Sequence, residues 1–340
     1  MRNNLGSNRL ILVLVFLSLL AASTMGVWLW KRTPLPSGPL EKITISFPGF
    51  LGAAQFFVAQ GRGFFRDVGL EIIEQPVLVG KEALNNVLQD KADLAITADL
   101  PLIFAVARGE KPIILATMFR DHGGVSVVAR RDRGIASPND LRGKKIGVSF
   151  NTSGHFFLDA FLMERQIPVD SITFVDVPFN HTADAIINGD VDAICTWDPA
   201  LAKLQDTLKE RGLTFDTSNQ YTFRFQLVTS ASYLKNHQKQ LRRVLEAFAK
   251  ADTYLEEHAA DARKLVQLGT GMSDAVFKRG FDTAEVGLLL DQNLLLALDD
   301  QTRWAMKRGF VKKGPVPNYL DYVSFDALES AKHSAVTVPH

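Results

Sequence analysis

From Glu41 onward, runs rich in β-branched residues alternate with runs of helical periodicity, and few architectures accept that order. Helices following strand after strand cover a mostly parallel sheet, so the chain is expected to be α/β. Strands are predicted at 42–47, 70–77, 93–97 and 112–119. The first stops at Pro48-Gly49, which a strand interior would not tolerate. Between them the pattern predicts helices at 53–67, 81–89 and 101–108, the second carrying Ala83, Leu84, Val87 and Leu88 on one face. After a strand at 125–129, the polar stretch 130–143, with a capped turn at 137–141, reads as the crossing into a second unit. There the alternation restarts, with strands at 145–150, 172–177 and 191–197 and helices at 153–166, 182–188 and 199–211. A strand at 221–229 returns to the first unit. Amphipathic helices follow, the clearest at 238–257, where Leu241, Val244, Leu245, Phe248 and Tyr254 fall at helical spacing. The expected division is 41–127 for lobe one, 128–222 for lobe two, and 223–340 for the return to lobe one and a helical C-terminal tail.

A chain of 340 residues, 46% hydrophobic and 22% charged, has globular composition and is long enough for two such lobes. Its 38 Lys and Arg against 37 Asp and Glu leave no field to hold a polyanion, which argues against nucleic-acid partners. Cys195 is the single cysteine, so intramolecular disulfides and multi-cysteine metal sites are excluded. At the N-terminus, Arg2 and Arg9 precede an apolar run over 10–30, followed by Lys31-Arg32 and a Pro-rich linker at 33–40. Residues 1–32 therefore read as an export signal, either cleaved or retained as a membrane anchor.

Two doubly wound sheets joined by two hinge crossings leave a cleft between their carboxyl ends, where open α/β sheets bind ligands. The candidate ligand-binding residues are those on the loops overhanging it. Thr152, Ser153, Gly154 and His155 follow a strand and open a helix, whose unpaired N–H groups suit an anion; the alternative is a simple helix cap. Phe47, Pro48, Gly49 and Phe50 end the first strand, as a cleft loop or a turn with core aromatics. Thr97, Ala98 and Asp99 end another, Asp99 being either a helix cap or a reader of a ligand amine. Asp121 offers a second carboxylate. Trp197 and Asp198 offer an apolar wall and a carboxylate opposite Ser153, the alternative for Asp198 being a simple helix cap. Carboxylates facing a helix start favour a bifunctional ligand, such as an amino-sulfonate, over a simple anion.

Several of these segments carry a family signature. Phe47-Pro-Gly-Phe50, Gly63-Phe-Phe-Arg-Asp-Val-Gly-Leu70, the stretch from Ile135 to Gly147, Ser153-Gly-His-Phe156, Gly189-Asp-Val-Asp-Ala193 and Trp197-Asp-Pro199 occur in an order and spacing that resemble the nitrate/sulfonate/taurine family of periplasmic solute-binding proteins. The resemblance spans about residues 42–258, with Asp198 where the family often has Glu. It implies a type II-like periplasmic-binding-protein fold that closes on a small anionic or zwitterionic solute. It also implies delivery to an ABC importer's permease and ATPase subunits, at the periplasm or the outer face of the inner membrane. A monomer without cofactor or metal is expected. Two departures are the absent lipoprotein cysteine and the N-terminal run, which if retained would suit a membrane-tethered sensor.

Relatives on this fold include enzymes of thiamine-pyrimidine and menaquinone synthesis, and these are the competing reading. The thiamine type uses a cysteine-rich segment, and this chain has one cysteine. No Ser/His/Asp constellation is evident, and the seven histidines include no His-x-x-x-His pair. A binding protein without chemistry of its own is therefore expected.

Overall fold

The computed structural model describes residues 38–215 and 221–339. The predicted export segment, 1–32, lies outside them. Lobe one begins with strand β1 (Glu41–Pro48), helices α1 (Ala54–Arg62) and α2 (Phe64–Asp67), β2 (Leu70–Val77), α3 (Gly80–Leu88), β3 (Leu94–Ala98), α4 (Asp99–Ala107) and β4 (Pro112–Asp121). Lobe two holds β5 (Val125–Arg130), β6 (Lys145–Val148), α5 (Ser153–Glu164), β7 (Thr173–Asp176), α6 (Thr182–Asn188), β8 (Ala193–Trp197), α7 (Ala200–Leu208) and β9 (Gly212–Thr214). The chain then returns through β10 (Phe223–Ser230) and adds α8 (Ala231–Glu257), α9 (Ala259–Thr270), α10 (Asp274–Thr283), β11 (Ala284–Leu289), α11 (Gln292–Lys307) and α12 (Asp326–Ala331).

The first sheet has the order β11-β4-β10-β3-β1-β2 and the second β7-β6-β8-β5-β9. Strands β1, β2 and β3 run parallel, whereas β10 lies antiparallel between β3 and β4. In the second sheet β6 is parallel to β7 and β8, and β5 is antiparallel to β8 and β9. The two doubly wound sheets are those expected, but the first crossing comes earlier than residue 128. Val125–Arg130 pairs with β8, so the chain changes lobe at His122-Gly-Gly124. A Cβ on Gly124 would sit 2.2 Å from Asp121 Oδ2, so a side chain there would push that carboxylate aside.

Two further differences have local causes. The helix predicted over 53–67 breaks at Gly63, whose φ of 74° lies in the left-handed region open to glycine. Strand β11, unforeseen among amphipathic helices, extends the first sheet on the open edge of β4. The tail helix α8 kinks at His237 and buries Leu241, Val244, Leu245 and Phe248. Phe248 meets Phe65 edge to face at 5.3 Å. Each of these side chains contributes about 1.5–3 kcal/mol through burial, fixing the tail on lobe one.

Candidate functional site

The carboxyl ends of β4 and β8 and the start of β10 converge on a cavity of about 50 Å3 between the lobes. Phe50, Phe119, Phe223 and Phe225 form its lobe-one wall, Trp197 and Asp198 close it from lobe two, and Asp121 and Met272 complete it. Close approach is built into the backbone: a Cβ on Gly52 would lie 2.6 Å from the Phe225 ring. Phe50 packs edge to face on Phe225 at 5.4 Å, and Trp197 stacks on Phe179 at 4.8 Å. The Trp197 indole N–H is buried without a hydrogen-bond partner among the described residues. Asp121, 5% exposed, accepts from the Gly123 N–H with one oxygen, leaving the other beside Gly124. A volume of this size admits a water or two, so a larger solute requires the lobes to part.

The remaining candidates fall elsewhere. Phe47 packs on Phe56 at 4.2 Å, Pro48 ends β1 and Gly49 is exposed on the turn. Thr97 is buried against Gly80 at the start of α3, and Ala98 ends β3. Asp99 is the first residue of α4 and fully buried. Its carboxylate accepts from Ser153 Oγ at 2.9 Å, Tyr221 OH at 2.8 Å, Gln301 Nε2 at 2.7 Å and the Leu100 N–H at 2.9 Å. Those donors come from lobe two, the return segment, α11 and Asp99's own helix, so its lone pairs serve to join the lobes. Burial beside this carboxylate holds the Tyr221 hydroxyl well above its ordinary range, so it remains a donor.

The start of α5 is likewise occupied by its own neighbours. Thr152 Oγ1 donates to the Ser149 carbonyl, and the Gly154 carbonyl accepts from Cys195 Sγ. The Trp197 ring lies where a Gly154 Cβ would stand 3.0 Å away. His155 stacks on Phe150 at 4.6 Å and meets Trp304 edge-on at 5.4 Å, and neither ring nitrogen has a hydrogen-bond partner among the described residues. Burial, reinforced by Arg308, lowers its pKa to about 4, so the ring is neutral near pH 7. The Cys195 thiol is fully buried and its pKa is raised by that burial.

Asp198 combines two roles. It caps α7 by accepting from the Ala202 N–H at 3.1 Å, and it pairs with Arg279 of α10 at 2.8 Å, across the mouth of the cleft. A further inter-lobe contact joins Asp159 of α5 to Trp304 Nε1 and to Arg308, both at 2.7 Å. Sequence spacing gave no sign of Arg279, Gln301 or Trp304, which lie 81, 202 and 145 positions from their partners. Trp304 within an amphipathic helix was the one available hint. Among the described residues no group of three metal-ligating side chains occurs, and no helix is long and apolar enough to cross a membrane.

Known proteins agree with this architecture. The alkanesulfonate-binding protein SsuA from Xanthomonas axonopodis pv. citri superposes with a TM-score of 0.72 at 18% identity, over 85% of this chain and all of its own. The Bacillus subtilis protein YtlA, named as a binding protein, is 22% identical over 218 residues, which are 61% of this chain and 64% of YtlA. The 4-amino-5-hydroxymethyl-2-methylpyrimidine phosphate synthase of Aspergillus parasiticus is 24% identical over 83% of this chain and 89% of the synthase. The fold is thus that of the periplasmic solute-binding proteins, and relatives by sequence are named both as binding protein and as synthase. The NMT1/THI5-like family model matches residues 52–262, more than half of the sequence, and the chain belongs to that family.

Proposed function

We propose that this chain is an extracytoplasmic solute-binding protein that closes on a small amine-bearing solute and hands it to an ABC importer, without chemistry of its own. The observation that supports this best is the cavity between the strand ends of the two sheets, walled by aromatics and holding the buried Asp121 carboxylate. Burying a carboxylate is costly unless a donor meets it, and an ammonium group does so best. Asp99 is committed to four protein donors and Asp198 to Arg279, which leaves Asp121 as the reader of the amine. The unpartnered Trp197 indole N–H in the same cavity is a donor for an anionic end, so a zwitterion fits better than nitrate or bicarbonate. The sulfonate bound by SsuA proteins is consistent with such an end.

The synthase named among the relatives makes an enzyme the competing reading; the one thiol here is sealed beneath α5, which favours a receptor. A thermal-shift panel of amino-sulfonates, their amine-free analogues, nitrate and bicarbonate tests the proposal. A bound solute at 100 times its dissociation constant stabilises the native state by about 2.7 kcal/mol. Amino-sulfonates should raise the midpoint while nitrate and bicarbonate do not. A response confined to nitrate or bicarbonate would refute the amine reading.

A further inference from the structure

A second concave site lies outside the cleft, between α5 of lobe two and α11 of the C-terminal tail. It has a volume of about 640 Å3, within the ~300–1,000 Å3 usual for small-molecule pockets. Phe156, Ala160, Met163 and Ile167 form one wall and Trp304 the other. Phe156 and Trp304 meet at 5.3 Å with their planes perpendicular, presenting an aromatic face and an aromatic edge. Met163, 70% exposed, stands on the open side of this wall.

The polar groups narrow the choice of occupant. Asp159, 5% exposed, lines this groove and engages Trp304 and Arg308 through Oδ2. Its Oδ1 is buried with no hydrogen-bond partner among the described residues. Arg308 is paired with Asp159, and the rim charges Asp300 and Lys307 oppose each other, so the groove carries no surplus cation for an anion. What it lacks is a donor at Asp159 Oδ1 and an apolar body against the aromatic walls.

We infer that this groove is a binding site for a small amine carrying an aryl or compact alkyl body, with the amine on Asp159 and the body between Phe156 and Trp304. The site is separate from the cleft cavity, with which it shares no lining residue. Methyl-labelled methionine gives the test, because Met163 reports on the groove and Met272 on the cleft cavity. Titration of the protein with 2-phenylethylamine should move the Met163 methyl resonance, whereas 3-phenylpropionate, of similar shape but opposite charge, should not. Asp159→Asn should weaken the Met163 response at least tenfold. Ala160→Trp, which fills the groove without touching the Asp159 contacts, should abolish it. A Met163 methyl that stays still at millimolar amine, moves equally with the carboxylate, or moves unchanged in the Ala160→Trp variant would overturn the inference. Movement of Met272 alone would assign the amine to the cleft and overturn it as well.

Discussion

His155 shows how a residue with the chemistry of a ligand can serve another purpose. At the residue scale its position after Ser153-Gly154 suggested a donor at a helix start, but Phe150, Phe174, Trp304 and Phe310 enclose the ring. Its folded pKa of about 4 lies below the ordinary 6.5 because burial, with Arg308, disfavours the charged form against the weaker pull of Asp176. The unfolded chain therefore binds the proton more readily, and the stability due to neutral His155 is lost as pH falls from about 6.5 toward 4. The loss is on the order of 3 kcal/mol at its greatest. His155→Phe should flatten this part of the stability profile in urea unfolding followed against pH; an unchanged slope would show that the ring titrates in both states alike. The motif Ser153-Gly-His155 was legible as a family mark, but the aromatic box was not, since Trp304 and Phe310 are contributed from about 150 positions away.

At the element scale, α10 and α11 turn a two-lobed scaffold into one closed by protein contacts. Arg279 of α10 reaches Asp198, while Gln301 and Trp304 of α11 reach Asp99 and Asp159. Most strands of the two sheets were legible because each is a short β-rich run bounded by turn residues, and β6, β8 and β10 fall close to their expected places, whereas the edge strands β9 and β11 were not foreseen. The crossing at His122-Gly-Gly124 was less legible, because Val125–Arg130 suits either sheet and only its pairing with β8 decides. The partners of the tail helices were not legible at all, since an amphipathic pattern gives a buried face without naming what covers it. Arg279→Ala should cost less than about 1 kcal/mol, as expected of a half-exposed pair. Gln301→Ala should cost about 1–3 kcal/mol by leaving part of the buried Asp99 carboxylate unmet. Chemical denaturation of the two variants separates them, and an equal or reversed order would contradict the assignment of Asp99 as the principal inter-lobe junction.

For the molecule as a whole, the proposed function requires an open form of this closed arrangement, hinged at 122–124 and at the start of β10. Small-angle scattering of a Gln301→Ala/Trp304→Phe variant without solute should show a larger radius of gyration than the parent, with saturating solute narrowing the difference. An identical radius in both proteins would mean that the tail does not hold the lobes together. The central claim, an amine read by Asp121 inside the cleft, is tested most directly by calorimetry on the parent and on Asp121→Asn with taurine and with ethanesulfonate, which lacks the amine. The account predicts that taurine binds the parent and loses about 10- to 100-fold in affinity in Asp121→Asn, while ethanesulfonate binds both proteins alike. Equal affinities of taurine for the two proteins, or ethanesulfonate binding the parent more tightly than taurine, would contradict it.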